Sequence, residues 1–297
     1  MRRLTKSRRT GSIVPDIFLY TGLFIGMLLI VFPFYNIIII SFARYEDVAS
    51  VPFYIIPTGF SLHNYEHIFH DNKILSAMGI SFFNVVVGSI MNLTMTVFAA
   101  YALSRKNLPF RKGMFYFIII TMFFSGGLIP WYMVIRDLGL INNIFAMTVP
   151  GMIGTFNVIL MRNFFESVPP ALEESARIDG AGEFTIMTRI YLPLSKPIIA
   201  TVTLFNIVFF WNDWWFGQLF IHDDSLVPLS LLLRRAIIES STQLSDLAEK
   251  FRASYRPVQS RSIQAAAIMV SIVPIMIVYP FLQRYFTKGI MLGAVKE

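Results

Sequence analysis

The sequence ESARIDGAG fills residues 174–182, and IYLP follows it at 190–193. Two prolines at 169–170 lie just before it, and proline fits the first turn of a helix because the amide there has no helical partner. Its two glycines can adopt the left-handed or closely packed backbone that stops a helix. This pattern predicts two short helices that meet at a glycine corner. The second is expected to span 183–191 and to end at the Leu-Pro pair of IYLP.

The stretches on both sides of this hairpin are too apolar for a soluble domain. The chain is 55% hydrophobic and 14% charged, whereas soluble domains carry about 25% charged residues. A helix needs about 20 apolar residues to cross a bilayer. We therefore predict an all-α polytopic membrane protein whose single transmembrane domain covers 1–297. Its six predicted spans are 17–42, 80–103, 114–134, 144–164, 198–220 and 263–286, and the hairpin lies in the loop 165–197.

The basic residues predict the orientation of these spans. Sixteen of the 25 Lys and Arg residues lie before the first span, in the stretches 105–113 and 162–197, or after residue 283. Because cytoplasmic loops are enriched in Lys and Arg, both termini and the hairpin are expected in the cytoplasm. The basic N-terminus precedes an apolar run too long for a signal peptide, so we interpret it as an uncleaved first span. The net charge of +7 therefore reflects topology, and no nucleic-acid partner is expected.

The hairpin pattern E-x-A-x(3)-G-x(9)-I-x-L-P resembles the EAA motif of binding-protein-dependent ABC importer permeases. Ser175 replaces the family's first alanine, which is a change between small residues. The sequence KGIMLGAVK at 288–296 resembles the carbohydrate-uptake permeases of that superfamily. The resemblance implies that the hairpin couples the permease to an ATPase. The positions carried over to this coupling role are Glu174, Ala176, Asp179, Gly180, Ile190, Leu192 and Pro193.

The same resemblance implies the partners and the location. It predicts two ABC ATPase subunits, a second homologous permease, an extracellular solute-binding protein and a sugar or oligosaccharide, all at the lipid membrane of a bacterial cell. The chain contains no G-x-x-x-x-G-K-[ST] sequence, so ATP and Mg²⁺ are expected on the separate ATPase. The chain itself is predicted to be non-catalytic and without a cofactor. Cysteine is absent, and three histidines at 63, 67 and 70 are interpreted as a solvated face rather than a metal site.

An aromatic and polar cluster near the end of the fifth span is the first candidate for the solute path. Indole rings stack on the C–H faces of sugars, and an ionisable group at membrane depth usually faces an aqueous path. The alternative is an interfacial aromatic belt. The candidates are Trp211, Asn212, Asp213, Trp214 and Trp215.

A second polar stripe lies on the second span, where Asn84, Gly88 and Asn92 recur at intervals of four residues. We include Asn84 and Asn92 among the candidates for the solute path. Hydrogen bonding between helices with small-residue packing explains the stripe equally well.

The resemblance also implies a contact with the solute-binding protein, because the external loop after the fifth span approaches that protein in related carbohydrate permeases. In this chain the corresponding segment is LVPLSL at 226–231. The predicted contacts are Val227, Pro228, Leu229 and Ser230. Two other functions remain open from the residues alone. A peptide or amino-acid importer shares the hairpin but is not expected to carry the tryptophan cluster. A secondary transporter requires ion-coupling carboxylates in the membrane, for which Asp213 is the sole strong candidate.

Overall fold

The structure is a computed structural model that describes residues 13–49, 54–241 and 261–294. The basic N-terminal residues that entered the orientation argument, and the last two residues of KGIMLGAVK, lie outside these ranges. Every regular element within them is helical, as the composition predicts. The helices are α1 Ile13–Ser41, α2 Tyr45–Ala49, α3 His63–His70, α4 Asn72–Ser104, α5 Arg111–Phe123, α6 Leu128–Asp137, α7 Thr155–Glu166, α8 Pro170–Ile178, α9 Glu183–Ile186, α10 Leu192–Leu194, α11 Lys196–Asn212, α12 Trp215–Phe220, α13 Leu229–Ser241 and α14 Arg261–Ala294.

Three continuous stretches are long and apolar enough to cross a membrane, namely Ile17–Ser41, Asn72–Ser104 and Arg261–Pro280. Three further candidates are pairs of helices joined by a bend. Between α5 and α6 the bend is 114°, and between Ile144–Gly151 and α7 it is 46°. Between Glu183–Leu194 and α11 it is 82°. The described residues thus contain between three and six candidate spans by length and composition.

Three of the predicted spans are interrupted where the sequence suggested continuous helices. Residues 144–164 are divided at 152–154, between Gly151 and Thr155. Residues 114–134 are divided by a break between Phe123 and Leu128, where Gly127 has a φ of 86° that favours glycine. Residues 198–220 are divided at Asp213 and Trp214. Average hydropathy does not report such breaks, because it is insensitive to the backbone conformation of single residues.

The first compact unit contains α1, α2, most of α3 and the beginning of α14. Asn64 caps the C-terminal end of α1. Its side-chain amide donates to the carbonyls of Ser41 at 3.0 Å and Ala43 at 2.8 Å. The last carbonyls of a helix have no partner within it, so a buried amide that supplies one stabilises the helix end. Ile40 and Ala265 pack in the hydrophobic core beside it.

The second compact unit is built around α4, which packs against α7 and α11. Its main core joins these three helices to the hairpin, because Ile186, Met187 and Tyr191 are buried in the same cluster as residues of α4. Helix α4 approaches α11 closely at Gly88, where a Cβ atom would lie 2.7 Å from the ring of Phe210. Small residues of this kind allow membrane helices to approach each other.

Candidate coupling site and solute path

The hairpin begins with α8 at Pro170–Ile178, directly after Pro169. The chain turns at Gly180, whose φ of 81° is costly for a residue with a side chain. Gly182 differs from the prediction, since its φ of −74° and ψ of 165° are ordinary extended backbone that any residue can adopt. The glycine corner therefore depends on one left-handed residue.

The second helix of the hairpin is longer than the sequence indicated. It does not end at Leu192 and Pro193, but continues from α9 through a π-helical segment, Met187–Tyr191, into α10 and on to Leu194. Proline lacks the amide that an α-helix uses at that position, and its ring clashes with the carbonyl four residues earlier. The wider π-helical turn, with a bond from Leu192 N–H to the Met187 carbonyl, lets the helix continue through the proline.

The sequence-predicted coupling residues separate into two groups. Glu174, Asp179, Gly180 and Pro193 are exposed, whereas Ala176, Ile190 and Leu192 are half-buried and pack against the hydrophobic core. Sequence reasoning overlooked two exposed apolar side chains on the same hairpin, Ile178 at 86% and Phe184 at 67% exposure. The sequence feature that could have identified them is an apolar residue close to the glycine corner in an otherwise polar segment.

Sequence reasoning also overlooked Glu173, which is the most heavily bonded carboxylate of the hairpin. It forms ion pairs with Arg105 and with Arg177, the latter at 3.0 Å. It also accepts a hydrogen bond from the Tyr191 hydroxyl at 3.0 Å. Partial burial by itself raises the pKa of Glu173, but the hydrogen bonds from Arg177 and the charge and hydrogen bond of Arg105 outweigh it. The pKa of Glu173 therefore lies below its usual range.

A second carboxylate joins the same network. Glu183 pairs with Arg177 and accepts a hydrogen bond from the Tyr101 hydroxyl at 2.7 Å. Tyr101 belongs to α4, and Arg105 follows the end of α4, so both contacts reach the hairpin from another part of the chain. Neighbouring sequence carries no signal for this pairing, because Arg105 and Glu173 are 68 residues apart.

The aromatic cluster surrounds the break between α11 and α12. Trp211 is buried, and its indole N–H donates to the Ser271 carbonyl of α14 at 2.9 Å, so it acts as a packing residue. Trp214 and Trp215 meet edge to face, with ring centroids 5.4 Å apart, and are more accessible. Asn212 is exposed and donates back to the Val208 carbonyl at 2.8 Å.

Asp213 lies at the break and holds the start of α12. One carboxylate oxygen, Oδ1, accepts from the backbone amides of Trp215 and Phe216, each at 3.2 Å. Such a bond satisfies amides at a helix start that have no helical partner. The other oxygen, Oδ2, is buried and makes no hydrogen bond to the described part of the chain. Asp213 therefore combines a structural bond with a spare acceptor.

The stripe on α4 lies inside the helix packing. Asn92 donates to the Gly151 carbonyl at 2.8 Å and accepts from the Asn157 amide at 3.2 Å. Asn157 also donates to Asn206 of α11 at 3.0 Å. Asn84 is buried and donates to the Met147 sulfur at 3.3 Å. These contacts favour the interhelical alternative over a position on the solute path.

The external segment is placed differently from the prediction. Val227, Pro228 and Leu229 are buried within the chain, and the Leu229 amide donates to Ser81 of α4 at 2.9 Å. Ser230 is half-buried and donates to the Asp213 carbonyl at 2.6 Å. Apolar side chains at this site pack on α4 rather than face solvent. The exposed residues lie just before this segment, at 222–225.

The structure is similar to two solved structures of bacterial ABC transporters. One is a bacterial ABC transporter involved in the import of the acidic polysaccharide alginate, with a TM-score of 0.81 and 30% identity over 96% of this chain and all of that one. The other, a bacterial alginate ABC transporter in complex with alginate pentasaccharide-bound periplasmic protein, has a TM-score of 0.60 over 91% of this chain and 94% of that one. It is 16% identical and supports the fold alone.

Sequence relatives match nearly the whole chain. The polygalacturonan/rhamnogalacturonan transport system permease protein YtcP of Bacillus subtilis (strain 168) is 40% identical over 95% of this chain and 98% of its own. The melibiose/raffinose/stachyose import permease protein MelC of the same strain is 30% identical over 89% of this chain and 91% of its own. The family model described as binding-protein-dependent transport system inner membrane component matches residues 81–292. The chain therefore belongs to this family of membrane permeases for binding-protein-dependent transport.

Proposed function

We propose that this chain is the permease subunit of an ATP-driven importer that takes up a sugar or oligosaccharide delivered by an extracellular solute-binding protein. The observation that carries the proposal is the hairpin α8–α10. One side of it is buried in the core that holds α4, α7 and α11, and the other side exposes Glu174, Ile178 and Phe184. A displacement of the exposed side is thereby transmitted to the membrane helices.

The exposed side of the hairpin is suited to an ATPase subunit. Ile178 and Phe184 offer apolar contact area, and Glu174 offers a charge that fixes the register of docking. Exposed apolar side chains grouped with polar ones are typical of protein interfaces. ATP and Mg²⁺ bind to two such ATPase subunits, and this chain is the non-catalytic partner. A second permease completes the path, which opens alternately to either side of the membrane.

We infer the substrate class from the named relatives and from an arginine that lies beside Trp214. YtcP and MelC are named for carbohydrates, and the alginate importer for an acidic polysaccharide. In this chain the guanidinium of Arg234 lies 3.5 Å from the centroid of the Trp214 ring and is exposed. An arginine beside indole rings suits a sugar that carries carboxylates, because guanidinium binds carboxylate while aromatic faces bind C–H surfaces. We therefore place acidic oligosaccharides first among the substrates to test.

We retain four of the predicted solute-path residues. Asp213 has an acceptor oxygen without a hydrogen bond to the described residues, and Asn212, Trp214 and Trp215 are accessible. Contact with the solute-binding protein is assigned to the exposed residues 222–225 rather than to the buried apolar residues that follow.

Docking is tested by co-purification. The chain is expressed with its ATPase, and Glu174→Lys is compared with Glu66→Lys, an exposed glutamate of α3 outside the hairpin. Like charges brought together at an interface repel each other, so we expect the co-purified ATPase to fall by about tenfold or more for Glu174→Lys alone. Equal amounts of co-purified ATPase with both variants would exclude a docking role for Glu174. Absence of any ATPase with the parental chain would instead favour a secondary transporter.

The substrate class is tested by uptake competition. Oligogalacturonides, neutral oligosaccharides and peptides compete with a labelled oligosaccharide in cells that contain the complete importer. We expect oligogalacturonides to compete with the label, and Arg234→Gln to weaken that competition relative to Arg136→Gln, an exposed arginine of α6. Competition by peptides alone would indicate a peptide importer.

The orientation is tested by thiol labelling, since the chain has no cysteine. Ser175→Cys and Ser225→Cys both replace exposed serines. In intact cells, an impermeant thiol reagent is expected to label position 225 but not position 175. Labelling of position 175 from outside would reverse the topology and exclude a cytoplasmic hairpin.

A further inference from the structure

Arg105 immediately follows α4 and is enclosed by side chains of two separate regions. Its carbon Cζ lies 4.4 Å from the centroid of the Tyr101 ring and 4.2 Å from that of the Tyr191 ring. The guanidinium pairs with the Glu173 carboxylate and donates to Ser104 Oγ. The cation thus lies over rings from α4 and from the hairpin while it binds the carboxylate of α8.

These contacts connect the hairpin to a helix that the backbone does not reach directly. Through the backbone, α8 follows α7 after three residues, and α10 continues into α11 through Ser195. Helix α4 lies far away in sequence and is joined to the hairpin only across space. Besides apolar packing, the connections include the Arg105 site and the hydrogen bonds from the Tyr101 hydroxyl to Glu183.

Burial distinguishes the Arg105 pair from an ordinary surface pair. The side chains of Arg105 and Glu173 are 13% and 21% exposed, whereas Arg177 and Glu183 are 46% and 52% exposed. Exposed ion pairs contribute little, because water competes and the long side chains lose entropy. A pair that is largely shielded, charge-assisted and flanked by two aromatic rings at cation–π distance is held more firmly.

We propose that Arg105 is a positioning residue of the transport cycle, which fastens the coupling hairpin to α4. When the ATPase displaces the hairpin, α4 moves with it, together with α7 and α11. The inference rests on the ATPase docking proposed above. Without Arg105, the hairpin keeps its apolar anchorage and its exposed face, so it still binds the ATPase, but it transmits less of the displacement to α4.

The chain offers a matched control for this site. Arg162 of α7 is also an arginine with a 15% exposed side chain, and it pairs with Glu166 at 2.7 Å. Its carbon Cζ lies 4.1 Å from the centroid of the Phe115 ring. Arg162 therefore resembles Arg105 in being shielded, paired with a glutamate and close to an aromatic ring, but the contacts described for it do not involve the hairpin.

The experiment measures uptake and ATP hydrolysis in the same proteoliposomes, which contain both permeases, the ATPase and the solute-binding protein. For Arg105→Gln, we expect unchanged ATPase co-purification and unchanged KM for the loaded solute-binding protein, but about tenfold less uptake per ATP hydrolysed. Arg105→Lys keeps the charge but not the planar guanidinium, and should recover part of the loss. Arg162→Gln should stay within about twofold of the parental ratio.

A second variant keeps the test decisive if Arg105→Gln does not reach the membrane. Glu173→Gln removes the charge of the partner with little change in size, and is expected to lower uptake per ATP in the same direction. A parental ratio in either variant would overturn the proposal. Joint loss of uptake and co-purified ATPase would also overturn it, since Arg105 would then merely maintain the docking face. If the parental chain retains no ATPase, the proposed function itself fails, whatever the variants do.

Discussion

The hairpin and the α11–α12 junction each contain a partly buried carboxylate, but the two carboxylates are satisfied in different ways. Glu173 is bonded by side chains from the end of α4, from its own helix and from the second helix of the hairpin. One oxygen of Asp213 accepts from the backbone amides of the residues two and three positions later, and its other oxygen makes no hydrogen bond to the described residues. The difference indicates that Glu173 holds structure together, whereas Asp213 retains capacity for a solute or water.

The largest expected effect is on the hairpin corner. Gly180→Val places a β-branched residue at a φ of 81°, which is strained even though no neighbouring atom is close. We expect uptake to fall by about tenfold or more while the protein remains in the membrane. Gly182→Ala is the matched control, because its backbone is ordinary and its Cβ position is open. Loss of uptake in both variants would mean that the corner needs small residues rather than a left-handed one.

The next effect concerns the contact that brings α4 and α11 together. Gly88→Ala introduces a Cβ atom that would lie 2.7 Å from the Phe210 ring, and overpacking of this kind costs about 1–3 kcal/mol. Thermal unfolding in detergent should therefore occur at lower temperature. In Gly79→Ala, on the same helix with open space around the Cβ position, no loss is expected. Partial recovery in Gly88→Ala with Phe210→Leu would identify the ring as the cause.

A smaller effect separates the two functions of Asp213. Asn also accepts hydrogen bonds at a helix start, so Asp213→Asn should keep α12 in place, whereas Asp213→Ala loses about 1 kcal/mol of helix stabilisation. If Asp213 also handles solute, uptake should be impaired in both variants, and solute-stimulated ATP hydrolysis should change while basal hydrolysis persists. Normal uptake by Asp213→Asn would mean that Asp213 acts only through its hydrogen bonds at the start of α12.

The smallest expected effect is the pH dependence that Glu173 contributes. Its pKa in the folded chain lies below the usual value, so its stabilising contribution is complete above the unfolded pKa of about 4.3 and is lost as pH falls through the folded pKa. Thermal unfolding measured from neutral pH to pH 3 should show this loss only at the acid end. The loss should be smaller in Glu173→Gln, and equal curves would mean that the ion pairs contribute no net stability.

Local sequence was sufficient for the features that depend on neighbouring residues. Hydropathy indicated the membrane helices, the proline pair indicated the start of α8, and Gly180 indicated the turn. Local sequence was insufficient where the backbone changes its conformation to accommodate a side chain. The π-helical turn before Pro193 lets a helix continue where a proline was expected to end it.

The amino-acid sequence by itself determined that this chain is an all-helical membrane protein with a polar hairpin between apolar segments, because composition and turn signals are local properties. The resemblance of the hairpin motif to a known family supplied the assignment as a permease. Only the tertiary structure decided which polar residues are exposed and which are bonded. Asn84 and Asn92 lie between helices, Val227 is buried, and Arg105 reaches Glu173 across 68 residues. Such pairings arise when distant helices pack together, and no periodicity along one helix specifies its partner.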